Sequence, residues 1–153
     1  ENNQERVFKV FGRGDLLAHY QSVCSDLENV SFEGYIPNTM VQSALKKSSI
    51  LYFATHPTIV LKYGQSLNKI IDYMYSGRPI VASHSGYQSM INEAECGFFV
   101  PANDDQSLYD EIIRLSKISK DELTIIGEKG SSWLHGNRKY KTLALNYEKI
   151  IND

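Results

Sequence analysis

At 153 residues with 42% apolar content, the chain has material for one globular domain with a real core and too little for two ordinary ones. Sixteen Lys and Arg against eighteen Asp and Glu leave a net charge of −2, which excludes a broad positive field for nucleic acid, so any anion site has to be local. No apolar run reaches the length of a membrane span, ENNQERV lacks the basic start and apolar centre of a secretion signal, and Cys24 and Cys96 lack metal-ligand spacing. A cytoplasmic protein with reduced thiols is expected.

In chain order, Val7 to Phe11, Val30 to Phe32, Ile50 to Phe53, Pro79 to Ala82 and Gly97 to Val100 read as short strands, several apolar on both faces as buried parallel strands are. Helical patterns lie between them at Leu16 to Leu27, Met40 to Lys47, Leu67 to Tyr75, Tyr87 to Ala94 and Leu108 to Ser116. This alternation predicts an α/β fold, a Rossmann-like doubly wound parallel sheet. After Val100 only helices follow, at Glu122 to Ile126, Ser131 to Leu134 and Lys139 to Ile151. Asp15, Asn38 or Thr39, Ser66 and Asp104 are the N-cap candidates, and Gly77 falls just past a helix end. Capping is also the better reading of Asn103-Asp104-Asp105, a run that otherwise looks like a set of metal ligands.

The chemistry concentrates in YGQSLNKIIDYMYSGRPIVAS, Tyr63 to Ser83. With Ser66 as N-cap, Leu67, Asn68 and Lys69 form the first turn, and their free N–H groups attract an anion. Lys69 sits at the positive end of the helix dipole, a conflict of roughly 0.3–1 kcal/mol that a phosphate or diphosphate would remove. A solvated surface lysine is the plainer alternative. Asp72 projects from nearly the same face one turn deeper, where it can pair with Lys69 or accept hydrogen bonds from sugar hydroxyls. A second turn, Phe11-Gly12-Arg13-Gly14-Asp15, follows a strand and precedes a helix. It lacks the third glycine of the dinucleotide fingerprint, but it lets backbone and Arg13 approach a phosphate. A third, Phe32-Glu33-Gly34-Tyr35-Ile36-Pro37, offers backbone and the Tyr35 ring to a flat base, with a structural turn as the alternative.

These elements form an ordered series: VFGRG, NVSFEGYIP, ILYFA, SLNKIIDYMYSGRPIVAS and ECGFFVPANDDQSLYDEI. The series resembles the C-terminal, donor-binding half of retaining GT-B glycosyltransferases of family 4, over essentially the whole chain. The resemblance implies transfer of a sugar from a nucleotide diphosphate sugar to a glycan or lipid-linked acceptor of a surface polysaccharide, with retained anomeric configuration and no metal or other cofactor. It implies that Ser66, Leu67, Asn68 and Lys69 face the diphosphate, that Asp72 holds the ribose, that Gly12 and Gly14 let their loop approach the diphosphate, and that Tyr35 and Ile36 border the base.

Two departures stand out. The two motif glutamates of the family correspond here to Gly64 and Asp72, so one carboxylate is missing; Gln65, His56 or a backbone group are the candidates to replace it. The central strand of the family's 3-2-1-4-5-6 sheet has no counterpart, which predicts a gap between the Val7 and Ile50 strands. The expectation is a fragment of a two-domain enzyme, paired with an N-terminal acceptor-binding half and inactive alone. The alternatives are a non-catalytic nucleotide-sugar-binding module and a nucleotide-sugar epimerase of GT-B architecture, the latter opposed by the Ser-Leu-Asn-Lys segment.

Of the histidines, His56 and His84 follow strands and are the two that could border a cleft; His19 and His135 show no metal spacing. Lys129 to Lys141 holds four basic residues and no acid. A solvated helix is the leading reading there, with contact to the other half or to an anionic membrane surface at its inner face as the alternative.

Overall fold

The computed structural model describes residues 6–64, 67–87 and 89–152. The chain divides into two units, Glu1–Val41 and Gln42–Asp153.

The first unit contains β1 (Phe8–Phe11), α1 (Leu17–Val23) and β2 (Val30–Gly34). β1 and β2 pair in parallel as a two-stranded sheet. The register pairs Val10 with Phe32 and then Phe11 with Gly34, so Glu33 is an extra residue on β2. The Glu33 carboxylate meets Lys9 at 3.4 Å and Ser31 at 2.9 Å, and these hydrogen bonds, Ser31 first, hold its pKa below the ordinary value.

Phe8, Val10 and Phe11 make β1 an apolar strand, which cover would stabilise. All four of its residues are instead exposed, with Phe8 at 41% and Val10 at 44%. One parallel pair with a short helix cannot cover both faces of a sheet, and none of the described residues of this unit is buried.

The second unit carries the core. It follows α2 (Asn38–Lys46) with β3 (Leu51–Ala54), a 3-10 turn at Ile59–Tyr63, α3 (Asn68–Ser76), β4 (Ile80–Ser83), α4 (Met90–Glu93), β5 (Gly97–Val100), α5 (Asp105–Ser116), α6 (Lys120–Asn137) and α7 (Tyr140–Asn152). The strands form a parallel sheet in the order β3-β4-β5, with Leu51, Ile80 and Gly97 in register. Central β4 is buried along its whole length. Ile80 and Ala82 join Leu51, Phe53, Ile70, Met74, Ile91 and Leu134 in one cluster, while Val81 joins Leu115 and Leu123 in another. Alternate residues of one strand thus supply two cores, the signature of a sheet wrapped on both faces.

The expected α/β fold is present, as two parallel sheets, β1-β2 and β3-β4-β5, with C-terminal helices, and β1 and β3 do not pair. Several boundaries moved. α1 ends at Val23 because Ser25 and Asp26 engage each other and the backbone returns Leu27 N–H to Cys24 carbonyl. α4 shrinks to Met90–Glu93 because Tyr87 N–H is committed to the Leu61 carbonyl. The stretch Ala54 to Gln65, read as irregular, contains the 3-10 turn. The helical stretches expected at Glu122 to Ile126 and Ser131 to Leu134 belong to one helix, α6, which runs through Gly127 and Gly130.

Gly127 explains its own presence. A Cβ there would lie 2.2 Å from the Gly77 carbonyl oxygen and 2.6 Å from Arg78 Cα. The glycine lets α6 lie directly on the α3–β4 turn, where Gly77 adopts φ +70° as a left-handed helix cap.

Candidate functional site

In the first unit the two glycine turns are joined at the carboxyl ends of their strands. Gly12 N–H donates to the Gly34 carbonyl at 2.8 Å, and Gly12 and Gly34 have φ of +131° and +70°, which only glycine takes without strain. The bulge at Glu33 keeps both turns at one edge, and the Arg13 guanidinium lies 4.9 Å from the centre of the Tyr35 ring. Gly12, Arg13, Gly14 and Tyr35 are exposed and Ile36 half-buried. An exposed cation stacked on an exposed ring can accept both an anion and a flat ligand.

In the second unit α3 begins at Asn68 with Leu67 in the N-cap position, extended and without a side-chain cap. The helix therefore starts one residue later than expected, and the first-turn residues are Asn68, Lys69 and Ile70. Ile70 N–H returns to the Leu67 carbonyl at 3.0 Å, which leaves Asn68 and Lys69 N–H as the outward donors. Both side chains are exposed, as is Asp72. Asp72 is fixed through its backbone, whose carbonyl accepts from Gln42 Nε2 at 3.0 Å. Gln65 and Ser66 lie outside the described residues. Gly64, at the position of the missing motif glutamate, has φ +131° and ψ 175°.

A pocket of about 140 Å³ sits at the carboxyl edge of this sheet, lined among others by Tyr52, Thr55, His56, Ser83 and Asp105. Burial raises the Tyr52 phenol pKa, a bond with Ser83 opposes this, and the Asp105 charge adds to it. Neighbouring Tyr73, raised by burial and by Asp72, donates to the Tyr52 carbonyl at 3.3 Å. His84 is buried: Nδ1 lies 2.8 Å from Thr55 Oγ1 and Nε2 3.2 Å from the Tyr87 carbonyl. Of the two histidines expected near a cleft, His56 lines this pocket and His84 is a structural bridge. Sequence reasoning missed Thr55, Tyr52 and Ser83; for Thr55 and Ser83 the available signal was their place at the carboxyl ends of β3 and β4.

Asp104 caps α5, its carboxylate accepting from Ser107 N–H at 2.9 Å and Ser107 Oγ at 2.6 Å, as the sequence suggested. Buried Cys96 has its thiol pKa pushed up to about 11 by desolvation, as befits a core thiol. Among the described residues no group of three or more His, Cys, Asp and Glu side chains is placed to hold a metal ion, and no helix is long and apolar enough to cross a membrane.

Parallel strands wrapped by helices, glycine turns at carboxyl edges and terminal helices define one half of a GT-B fold. The chain belongs to the glycosyl transferases of group 1, whose family model matches residues 1–118. No curated protein sequence matches it significantly. Its fold is similar to that of TarM, with TM-score 0.76 and 20% identity over 99% of this chain and 30% of TarM. A Staphylococcus aureus TarM variant in complex with UDP, alpha-GlcNAc-glycerol and Fondaparinux gives TM-score 0.74 and 18% identity over 96% of this chain and 29% of that one. Anabaena HepE in complex with UDP and glucose gives 0.64 and 12% over 95% and 39%. The chain thus spans less than half the length of these structures, and it fits their C-terminal GT-B domain.

Proposed function

We propose that this chain is the donor-binding part of a retaining sugar transferase that takes a sugar from a nucleotide diphosphate sugar and passes it to a glycan or lipid-linked acceptor in surface polysaccharide synthesis. The observation that carries the proposal is the Arg13–Tyr35 stack beside the joined Gly12 and Gly34 turns. Tyr35 and Ile36 would receive the base, Gly12, Arg13 and Gly14 the diphosphate, and Leu67, Asn68 and Lys69, with Gln65 and Ser66 before them, the phosphates and sugar. Asp72 would hold the ribose. UDP in the TarM and HepE complexes supports a nucleotide diphosphate as leaving group.

Each unit offers fixed N–H dipoles and a cation, Arg13 in the first and Lys69 in the second, which is the chemistry that stabilises a developing phosphate charge in the role a metal ion plays elsewhere. The exposed apolar face of β1 and the separation of the strands into two sheets support a further segment and an N-terminal acceptor-binding half as partners. Lys129, Arg138, Lys139 and Lys141 offer contact to that half or to the inner face of an anionic membrane, in a cytoplasmic setting. The test is calorimetric titration with UDP, GDP and their sugars without metal, in wild type and Lys69→Ala. Binding that prefers one base and weakens in the variant is expected; equal, feeble binding of all nucleotides would overturn the reading.

A second reading, a non-catalytic nucleotide-sugar-binding module, is favoured by Gly64. Its φ of +131° is accessible to glycine and strained for glutamate, so the turn as folded does not readily take the motif residue. Sugar transfer by the complete protein separates the two readings.

A further inference from the structure

A second pocket, of about 200 Å³, lies at the opposite edge of the β3-β4-β5 sheet and is lined by Lys47, Ser48, Ser49, Arg78, Lys120 and Leu123. Ser49 precedes β3 and Arg78 precedes β4, so the pocket opens at the amino ends of these strands. The proposed donor residues of α3 follow the carboxyl end of β3. One ligand cannot serve both edges.

The chemistry of the lining is one-sided. Three cationic residues and two serines line it, with no carboxylate among the lining residues. The ion pairs among the described residues are Lys9–Glu33, Glu111–Arg114 and Glu95–Lys129, so Lys47, Arg78 and Lys120 are left without acidic partners. The acids nearest in sequence are turned away or occupied. Lys120 and Leu123, three apart on α6, share the face that lines the pocket, while Asp121 and Glu122 fall on other faces. Glu122 is spent in the capping box, bonding Ser119 N–H at 3.2 Å and Ser119 Oγ at 2.8 Å.

Arg78 is positioned rather than free. Its Nε and one Nη donate to the Lys46 carbonyl at 3.1 and 2.6 Å, at the end of α2. This fixes the guanidinium plane, and the helix end that would repel an anion is already met by a cation. A planar fork held in place loses little entropy on binding an oxyanion, and the two flanking lysines supply charge without demanding geometry. Like charges gathered around a hollow repel one another until a counter-ion enters.

We propose that this pocket binds a phosphate-class dianion, a site separate from the donor site. Arg78 would take one oxygen edge, Lys47 and Lys120 the remaining charge, and the Ser48 and Ser49 hydroxyls would donate to the tetrahedral oxygens. A carboxylate, planar and singly charged, would use only part of this set. The phosphate can come from inorganic phosphate or from an organic phosphomonoester. This inference does not rest on the donor reading.

The test is an NMR titration of the full chain with inorganic phosphate, glycerol phosphate and acetate, at ionic strength held constant with chloride. Saturable shifts centred on Ser48, Ser49, Arg78 and Lys120 are expected, with acetate weaker. Lys47→Gln and Lys120→Gln should each raise the dissociation constant roughly fivefold and leave UDP affinity unchanged. Preference for glycerol phosphate over inorganic phosphate would assign the organic source, and the reverse the free ion. Shifts that chloride reproduces, or that both folded variants retain at wild-type affinity, would overturn the proposal. A spectrum with native dispersion establishes folding in each variant, and having one on each side of the pocket guards against the loss of either.

Discussion

The imidazole Nδ1 of His84 and the hydroxyl of Thr55 lie 2.8 Å apart and tie the loops that leave β4 and β3. Because Nε2 faces a carbonyl, that of Tyr87, it carries the proton in the neutral ring, and Nδ1 accepts from the threonine. Thr55→Val would leave a buried nitrogen without a donor. A loss of about 1–3 kcal/mol is expected, read as the urea midpoint. Thr55→Ser, which keeps the hydroxyl, should recover most of it.

The Arg13–Tyr35 stack yields a prediction for the first unit. Arg13→Ala removes a cation from the proposed diphosphate path and uncovers the ring, and should weaken UDP binding by about 1 kcal/mol. Asp72→Ala, which removes the proposed ribose acceptor, should weaken it by roughly 1–3 kcal/mol because the lost bonds involve a charge. Calorimetry reads both, and unchanged affinity in the folded variants would reject these assignments.

Gly64 separates a missing side chain from a missing conformation. If only the carboxylate were lost, Gly64→Glu would raise sugar transfer. With φ at +131°, glutamate should instead strain the turn by about 1–3 kcal/mol and lower stability without raising activity. Thermal unfolding alongside a transfer assay of the complete protein distinguishes the outcomes.

How much of this was readable in the chain depends on what each residue had to meet. The strands were legible because runs such as Ile80-Val81-Ala82 have only one use, a buried parallel strand. The cap at Asp104 was legible because a cap is local chemistry. The exposure of Phe8 and Val10 was not, since a pattern of apolar residues states what wants cover and not whether cover is present. The role of Gly127 was not legible either: helix propensity gives a glycine there no reason, whereas in the fold it makes room for the backbone of Gly77. The pocket of Lys47, Arg78 and Lys120 joins distant positions that no local spacing connects.

Asp104 predicts a pH dependence. Hydrogen bonds from Ser107, first its hydroxyl and then its N–H, hold the carboxyl below the ordinary aspartate value of about 3.9. A pKa depressed in the folded state means that the unfolded chain binds the proton more readily, so the contribution is full above about pH 4 and is lost as pH falls through the folded value. Asp104→Asn keeps an acceptor for the Ser107 N–H but does not titrate. Its urea midpoint should therefore fall less steeply than that of the wild type between pH 5 and pH 3, counted roughly from the reference values. Parallel curves would mean that other carboxylates, Glu95 and Glu122 among them, carry the acid sensitivity.

The contact of Gly127 with the Gly77 carbonyl gives the sharpest structural prediction. Alanine is the better helix former by about 1 kcal/mol, so propensity alone makes Gly127→Ala stabilising. Packing says the reverse, because the added methyl would meet backbone at 2.2 Å and backbone cannot swing aside as a side chain can. Either α6 moves off the turn, exposing Leu123 and Leu134, or the turn distorts around Arg78. Overpacking of this kind costs about 1–3 kcal/mol and more where nothing yields, so a net loss of about 2 kcal/mol is expected. Gly136→Ala on the same helix has no atom within 4 Å to strike and should be stabilised by the propensity term. Opposite signs for the two variants in urea unfolding would establish that the glycine at 127 is there for contact; the same sign would show that α6 does not rest on the turn.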